Sequence, residues 1–162
     1  MKLVEAGALA VNVVITLFFY SGQVGLFWDG APYLTKLYQA GDTHFIVITS
    51  YMLIVAVLKT IMFYKIVVVF SEKRLKLSQP FNPALQRFIV LQAYIALGIG
   101  FFSQAAHQYS SGLVSQGYDR PDLQELHLAG ADVWLFMAVV LFIIVQLVKR
   151  GIALQQENDL TI

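Results

Sequence analysis

One lysine stands where lysines are rare. Lys59 interrupts an apolar run from about Phe45 to Phe70 that also contains Lys65. An ionised amine at the centre of a membrane-spanning helix costs about 2.5–3.5 kcal/mol on insertion scales, so such residues pair, line a cavity or reach an interface. Asn12 and Gln92 lie in two other apolar runs, at a similar depth when counted from the same end of the bundle. Together Asn12, Lys59 and Gln92 would form an intramembrane polar layer suited to a proton, an ion or a small ligand. The competing reading is a lysine that snorkels along its flexible stem to the cytoplasmic surface, and that is the expectation carried forward. Lys65, nearer the edge, snorkels more plainly, with Glu5 as its natural partner.

The three histidines suggest a second chemistry. His44 precedes one run, His107 follows another and His127 precedes a third, all toward the other end of the bundle. Imidazoles bind metals, and a pair facing inward from two helices ligates haem. His44, His107 and His127 are therefore the haem or metal candidates. Their spacing matches no established signature, and histidine is common at membrane interfaces, so no cofactor and no metal are expected. Nothing resembles a nucleotide loop, a nucleophile elbow or an HExxH motif. With no cysteine there is no disulfide and no thiolate ligand. No enzymatic activity is expected.

The elements that must carry these residues are legible in the hydropathy. The 162 residues are 58% hydrophobic and 13% charged, whereas a soluble domain carries about 25% charged and about 45–50% apolar residues. Four apolar segments span about 3–27, 45–70, 84–106 and 129–148, with charges gathered in the gaps. At about 1.5 Å per residue each is long enough for a hydrocarbon core of about 30 Å. Backbone groups in lipid must be paired internally, and uninterrupted apolar runs exclude barrel strands, which alternate. The first segment is read as a retained helix: its amino-terminal charge is only Lys2, and no clean cleavage site follows. The expected architecture is all-α, a single domain over 1–162 made of four transmembrane helices in a bundle with a polar tail over 149–162.

Lysine and arginine counts set the orientation. Lys2, the loop residues Lys73, Arg74 and Lys76, Arg87, and Lys149-Arg150 share one side; the other connections hold Lys36 and Arg120 against five acids. Both termini are expected to be cytoplasmic, in a multi-pass protein of a bacterial inner membrane. The net charge of +1 gives no reason for direct nucleic-acid binding. Asn82-Pro83 is a helix start, since Asn caps free amides and Pro suits the first helical position. Within the long external connection, Pro121 to Leu126 is read as a short helix on the membrane surface, packed on its own bundle. Gln92, Ala96, Gly100, Gln104 and His107, with Ser103 beside them, form a small and polar stripe of the kind that lets helices approach closely.

Two stretches carry a resemblance. Gln79-Pro80-Phe81-Asn82-Pro83-Ala84-Leu85-Gln86-Arg87-Phe88-Ile89 follows Phe63 to Val67 and Lys73-Arg74-Leu75-Lys76, and the chain closes with Ile152 to Ile162. These stretches resemble the bacterial membrane-protein family labelled "domain of unknown function 2975". That family is of similar length, has four predicted transmembrane helices, a phenylalanine-centred inner loop, and often a Glu-Asn-Asp-Leu-Thr tail, here Glu157 to Thr161. The tail is the more specific match, and the external loop is long for the family. The resemblance implies no activity. It implies a membrane partner for a small helix-turn-helix regulator, because family members are often encoded beside one.

The resulting expectation is a non-enzymatic membrane protein, a regulatory or accessory subunit that docks a protein partner. That partner is a larger membrane complex, a second copy of the chain or a cytoplasmic regulator. The docking candidates are Phe81, Asn82, Glu157, Asn158, Asp159 and Leu160. The alternatives are a small oligomeric transporter or channel using Lys59, Asn12 and Gln92, and a haem- or quinone-linked redox subunit using His44 and His107.

Overall fold

The structure, a computed structural model, describes residues 33–34, 36–37, 42–71, 81–120, 122–124 and 126–159. The first predicted segment, with Asn12, and Leu160 lie outside the described residues. Three helices organise what is described: α1 (Asp42–Ser71), α2 (Pro83–Ser115) and α3 (Ala131–Asp159). Each is long and apolar enough to cross a membrane, and among the described residues there is no strand. This is the makeup of an all-α, multi-pass membrane protein.

The start of α2 follows from its first residues. Asn82 is the N-cap with extended backbone, its side-chain oxygen accepts from the Leu85 amide at 2.7 Å, and Pro83 opens the helix. Asn82→Ala removes that acceptor and should cost about 1 kcal/mol, with Asn82→Asp sparing most of it. Thermal unfolding in detergent reads this as a lower midpoint for the alanine variant; an equal midpoint for both would show that the cap contributes nothing.

Two helices outrun the expected spans. α2 continues beyond Ala106 to Ser115, and α3 continues beyond Val148 to Asp159. Hydropathy reports where lipid ends, not where a helix ends. In the extension of α2 the hydroxyls of Ser110, Ser111 and Ser115 donate to carbonyls four residues back, at 2.8, 2.9 and 3.3 Å. These polar side chains are thereby satisfied inside the helix. Gly151 lies inside α3, which continues through it to Asp159.

α2 is the central element and packs against both neighbours. Its contact with α3 has one steady register: Gly100 lies against Leu135, Tyr94 edge-on to Phe142 at 5.3 Å, and Phe81 against Gly151. A Cβ placed on Gly100 would fall 2.7 Å from Leu135 Cγ and 3.0 Å from its backbone nitrogen. The glycine is what lets the two backbones approach. In that register Ala131 is level with about position 104 of α2, so α2 rises past the start of α3 by roughly 16 Å at 1.5 Å per residue.

The predicted stripe is half right. Gln92, Ala96, Gly100 and Ser103 are buried, whereas Gln104 and His107 are exposed. At about 3.6 residues per turn, the face that holds 92 and 103 continues through 106, 110 and 113, and Ala106, Ser110 and Leu113 are the buried residues there.

The hydrophobic core gathers toward the end where α2 overshoots α3. Leu34 and Leu37, Phe45 and Ile48 of α1, Ile99 and Leu113 of α2, and Leu126 and Leu128 of the following connection pack there. Lys36 joins Asp119 at 2.6 Å on the surface of this cap. With both side chains exposed it adds about 0–1 kcal/mol. Tyr33 is buried beneath, and burial first, then Tyr109 and Asp119, hold its phenol above the usual tyrosine range. Elsewhere the helices expose large apolar faces, such as Tyr94, Val67 and Leu147, which hydrocarbon solvates at no cost.

Candidate functional site

Lys59 lies past the middle of α1, and its ammonium donates to the carbonyl of His127 at 3.0 Å. It also stands 5.8 Å from the centre of the Trp134 ring, within cation–π range. The expected direction is thereby corrected. The side chain reaches toward the end that carries residues 116–130, not toward the end of Phe81. Helical side chains tilt toward their own helix amino terminus. On α1 that terminus, Asp42, stands at the 116–130 end.

The acceptor is offered by a defined turn. Asp122 Oδ1 accepts from the Gln124 amide at 2.8 Å, and one helical turn follows. The Leu128 amide then donates to Leu123 O at 2.9 Å and the His127 amide to Gln124 O at 3.0 Å. His127 has φ 55. This is a Schellman closure with a left-handed residue just after the turn. It consumes the carbonyls of Leu123 and Gln124 and leaves that of His127 for Lys59. Leu126 and Leu128 enter the core, so the segment packs on its own bundle as expected.

Of the proposed polar layer, Asn12 lies outside the described residues, and Lys59 and Gln92 each donate to a backbone carbonyl. Gln92 is buried and its Nε2 donates to Met62 O at 3.3 Å. Among the described residues Gln92 Oε1 and Ser103 Oγ have no hydrogen-bond partner. The Lys59 ammonium has the His127 carbonyl as an acceptor, and Lys59 precedes Met62, the acceptor of Gln92, by three residues on α1.

The three histidines have different surroundings. His44 Nδ1 is 2.7 Å from the Tyr109 hydroxyl, and its ring meets Tyr118 edge-on at 5.5 Å. His107 is exposed on α2 and lines a groove of about 430 Å³ with Ser111, Ser115, Arg120 and Leu123. His127 contributes its backbone carbonyl and exposes its side chain. Among the described residues no group of three or more histidine, aspartate and glutamate side chains is placed to hold a metal.

At the opposite end Phe81 lies on α3. A Cβ on Gly151 would fall 2.7 Å from Phe81 Cδ1, so the ring rests directly on the glycine. Phe81 remains 44% exposed, and Leu154, nearly one turn further on, is 61% exposed. Glu157 is exposed on the same helix, and α3 includes Asn158 and Asp159. The sequence signal that could have found this contact is the lone glycine at 151, just after Lys149-Arg150. Trp134 beside Lys59 carried no such signal, because only the tertiary register brings it there.

Comparison of the chain with protein-family models, with curated proteins and with solved structures finds no match.

Proposed function

We propose that the chain is a non-enzymatic protein of the bacterial cytoplasmic membrane, an accessory or regulatory subunit that docks a protein partner at the end carrying Phe81 and Leu154. The observation that carries this reading is the exposed apolar pair on a polar helical extension. Leu154 projects among Lys149, Arg150, Gln156 and Glu157, beyond the apolar part of α3, where hydrocarbon no longer shields it. Covering such a surface returns about 25 cal/mol per Å² of apolar area, and Phe81 adds to the same patch. Segment 3–27 supplies a fourth helix in this reading. The excess of Arg87, Lys149 and Arg150 here, against Asp119, Asp122 and Asp132 at the other end, supports a cytoplasmic side for the patch. The resemblance in the inner loop and tail supports a soluble regulator as the partner.

Affinity purification from host membranes after gentle solubilisation tests it. Leu154→Asp, and separately truncation after Gln156, should leave the amount of inserted chain unchanged. Recovery of the co-purifying partner should fall by about tenfold or more, the expected loss of a central apolar anchor. The same partners in the same yield would remove the main support for docking.

A further inference from the structure

Beyond docking, and at the other end of the molecule, the geometry points to a binding site for the head group of a zwitterionic membrane lipid bearing a phosphate and a primary amine. The groove beside His107 and Arg120 does not end at Leu123. A second hollow of about 230 Å³ shares His107 and Leu123 with it and continues past Gln104 to Gly130 and Asp132. One trough therefore runs along the exposed face of α2, with a guanidinium near one end and a carboxylate at the other. Among the described residues neither Arg120 nor Asp132 has an ion-pair partner; the surface pair found there is Lys36 with Asp119.

The polarity of the trough is set by the serines. Ser111 and Ser115 give their hydroxyl protons to helix carbonyls, so they face the trough as acceptors. The donors at that end are Arg120 and the imidazole of His107. A guanidinium holds a phosphate through paired N–H bonds. Asp132, an acceptor only, suits an ammonium carrying N–H groups. The trough separates a site for an anion from a site for a cation, and one ligand bearing both charges satisfies it.

A bilayer lipid is chosen over a soluble zwitterion by what lies below. Gln104 stands one turn above Phe101 on α2, and Asp132 one turn above Phe136 on α3. Phe101 is 64% exposed and Phe136 71% exposed, with Leu97 and Val133 continuing the strip. Helical periodicity keeps each pair on one face, so acyl chains descending from the trough meet an apolar track. Leu123 and Leu128 wall the head group.

Native mass spectrometry of the purified full-length chain, titrated with dioleoyl phosphatidylethanolamine, phosphatidylglycerol and phosphatidylcholine, tests the inference. The ethanolamine lipid should bind about tenfold more tightly than either of the others, the equivalent of one hydrogen bond to a charged group. Phosphatidylglycerol lacks the amine, and phosphatidylcholine lacks its N–H groups. Asp132→Asn should abolish the preference, and Arg120→Gln should weaken all three lipids. Both residues are exposed, so neither change threatens folding; unaltered unfolding midpoints verify this. Equal binding of the three lipids, or indifference to both substitutions, overturns the proposal. Binding of soluble phosphoethanolamine as tight as that of the lipid overturns the assignment to the bilayer.

Discussion

Gly100→Leu is expected to part α2 from α3 and to be the most damaging single substitution among the described residues. The first added atom already falls within 2.7–2.8 Å of the Leu135 side chain and 3.0 Å from its backbone nitrogen. A new rotamer for Leu135 relieves only the side-chain part. The backbone contact is relieved only by moving one helix. Overpacking of this kind costs about 1–3 kcal/mol and sometimes more, and three further carbons place leucine at the upper end. Gly100→Ala should show a smaller loss of the same sign. Gly98→Ala is the control, because its Cβ would meet Leu58 Cδ1 at an ordinary 3.4 Å. Alanine also favours helix over glycine by about 0.8–1.0 kcal/mol. Unfolding midpoints in detergent should rank Gly98→Ala at or above the native chain, then Gly100→Ala, then Gly100→Leu. Equal midpoints for Gly98→Ala and Gly100→Leu would show that the close approach does not govern packing.

Lys59 gives the second large effect, in its response to charge. Lys59→Met removes an intramembrane ammonium, a relief of about 2.5–3.5 kcal/mol on insertion scales. It also removes a charged hydrogen bond to the His127 carbonyl, a loss of about 1.5–3 kcal/mol. The two nearly cancel, so the methionine variant should fold and insert normally. Its effect should be local: the 126–130 turn loses its anchor, and amide exchange there should accelerate. Lys59→Glu behaves otherwise. It keeps the burial cost and points a carboxylate at a carbonyl oxygen, so attraction becomes repulsion. Poor insertion or a strongly lowered midpoint is expected for glutamate alone. If methionine is as damaging as glutamate, the ammonium does more than hold the turn, and an ion-handling role regains support.

These residues also show what the sequence discloses and what it withholds. Hydropathy located α1, α2 and α3, and Asn82-Pro83 placed the start of α2 within one residue, because lipid solvation and capping are local rules. The far ends of α2 and α3 were missed for a related reason. Ser110, Ser111 and Ser115 look like loop residues until their hydroxyls are seen returning to the helix, and Gly151 looks like a bend until Phe81 is found on it. The stripe was legible to Ser103 and then lost phase, since a spacing of three or four drifts around the helix over four turns. Lys59 was legible as exceptional, but its direction needed the Cβ tilt of α1, and its acceptor needed the left-handed turn at His127. The trough from Arg120 to Asp132 was invisible, because neither residue stands in a motif and only the descent of the 116–130 connection along α2 brings them to one groove.

The two glycine contacts of α3 have a mechanical consequence. Gly100 bears on Leu135, and Phe81 bears on Gly151. Along α3 these bearings are sixteen residues apart, from 135 to 151, or about 24 Å at 1.5 Å per residue. A shaft held in two journals that far apart has little angular freedom: play of about 1 Å at one journal tilts it by only about 2–3° over that length. The free stub from Gly151 to Asp159 is about 12 Å long, so its tip would sweep only about half an ångström. Whatever meets Leu154 meets a stub of fixed pitch. Loosening the Phe81 journal, by Phe81→Ala for example, frees the angle of that stub without touching its own residues.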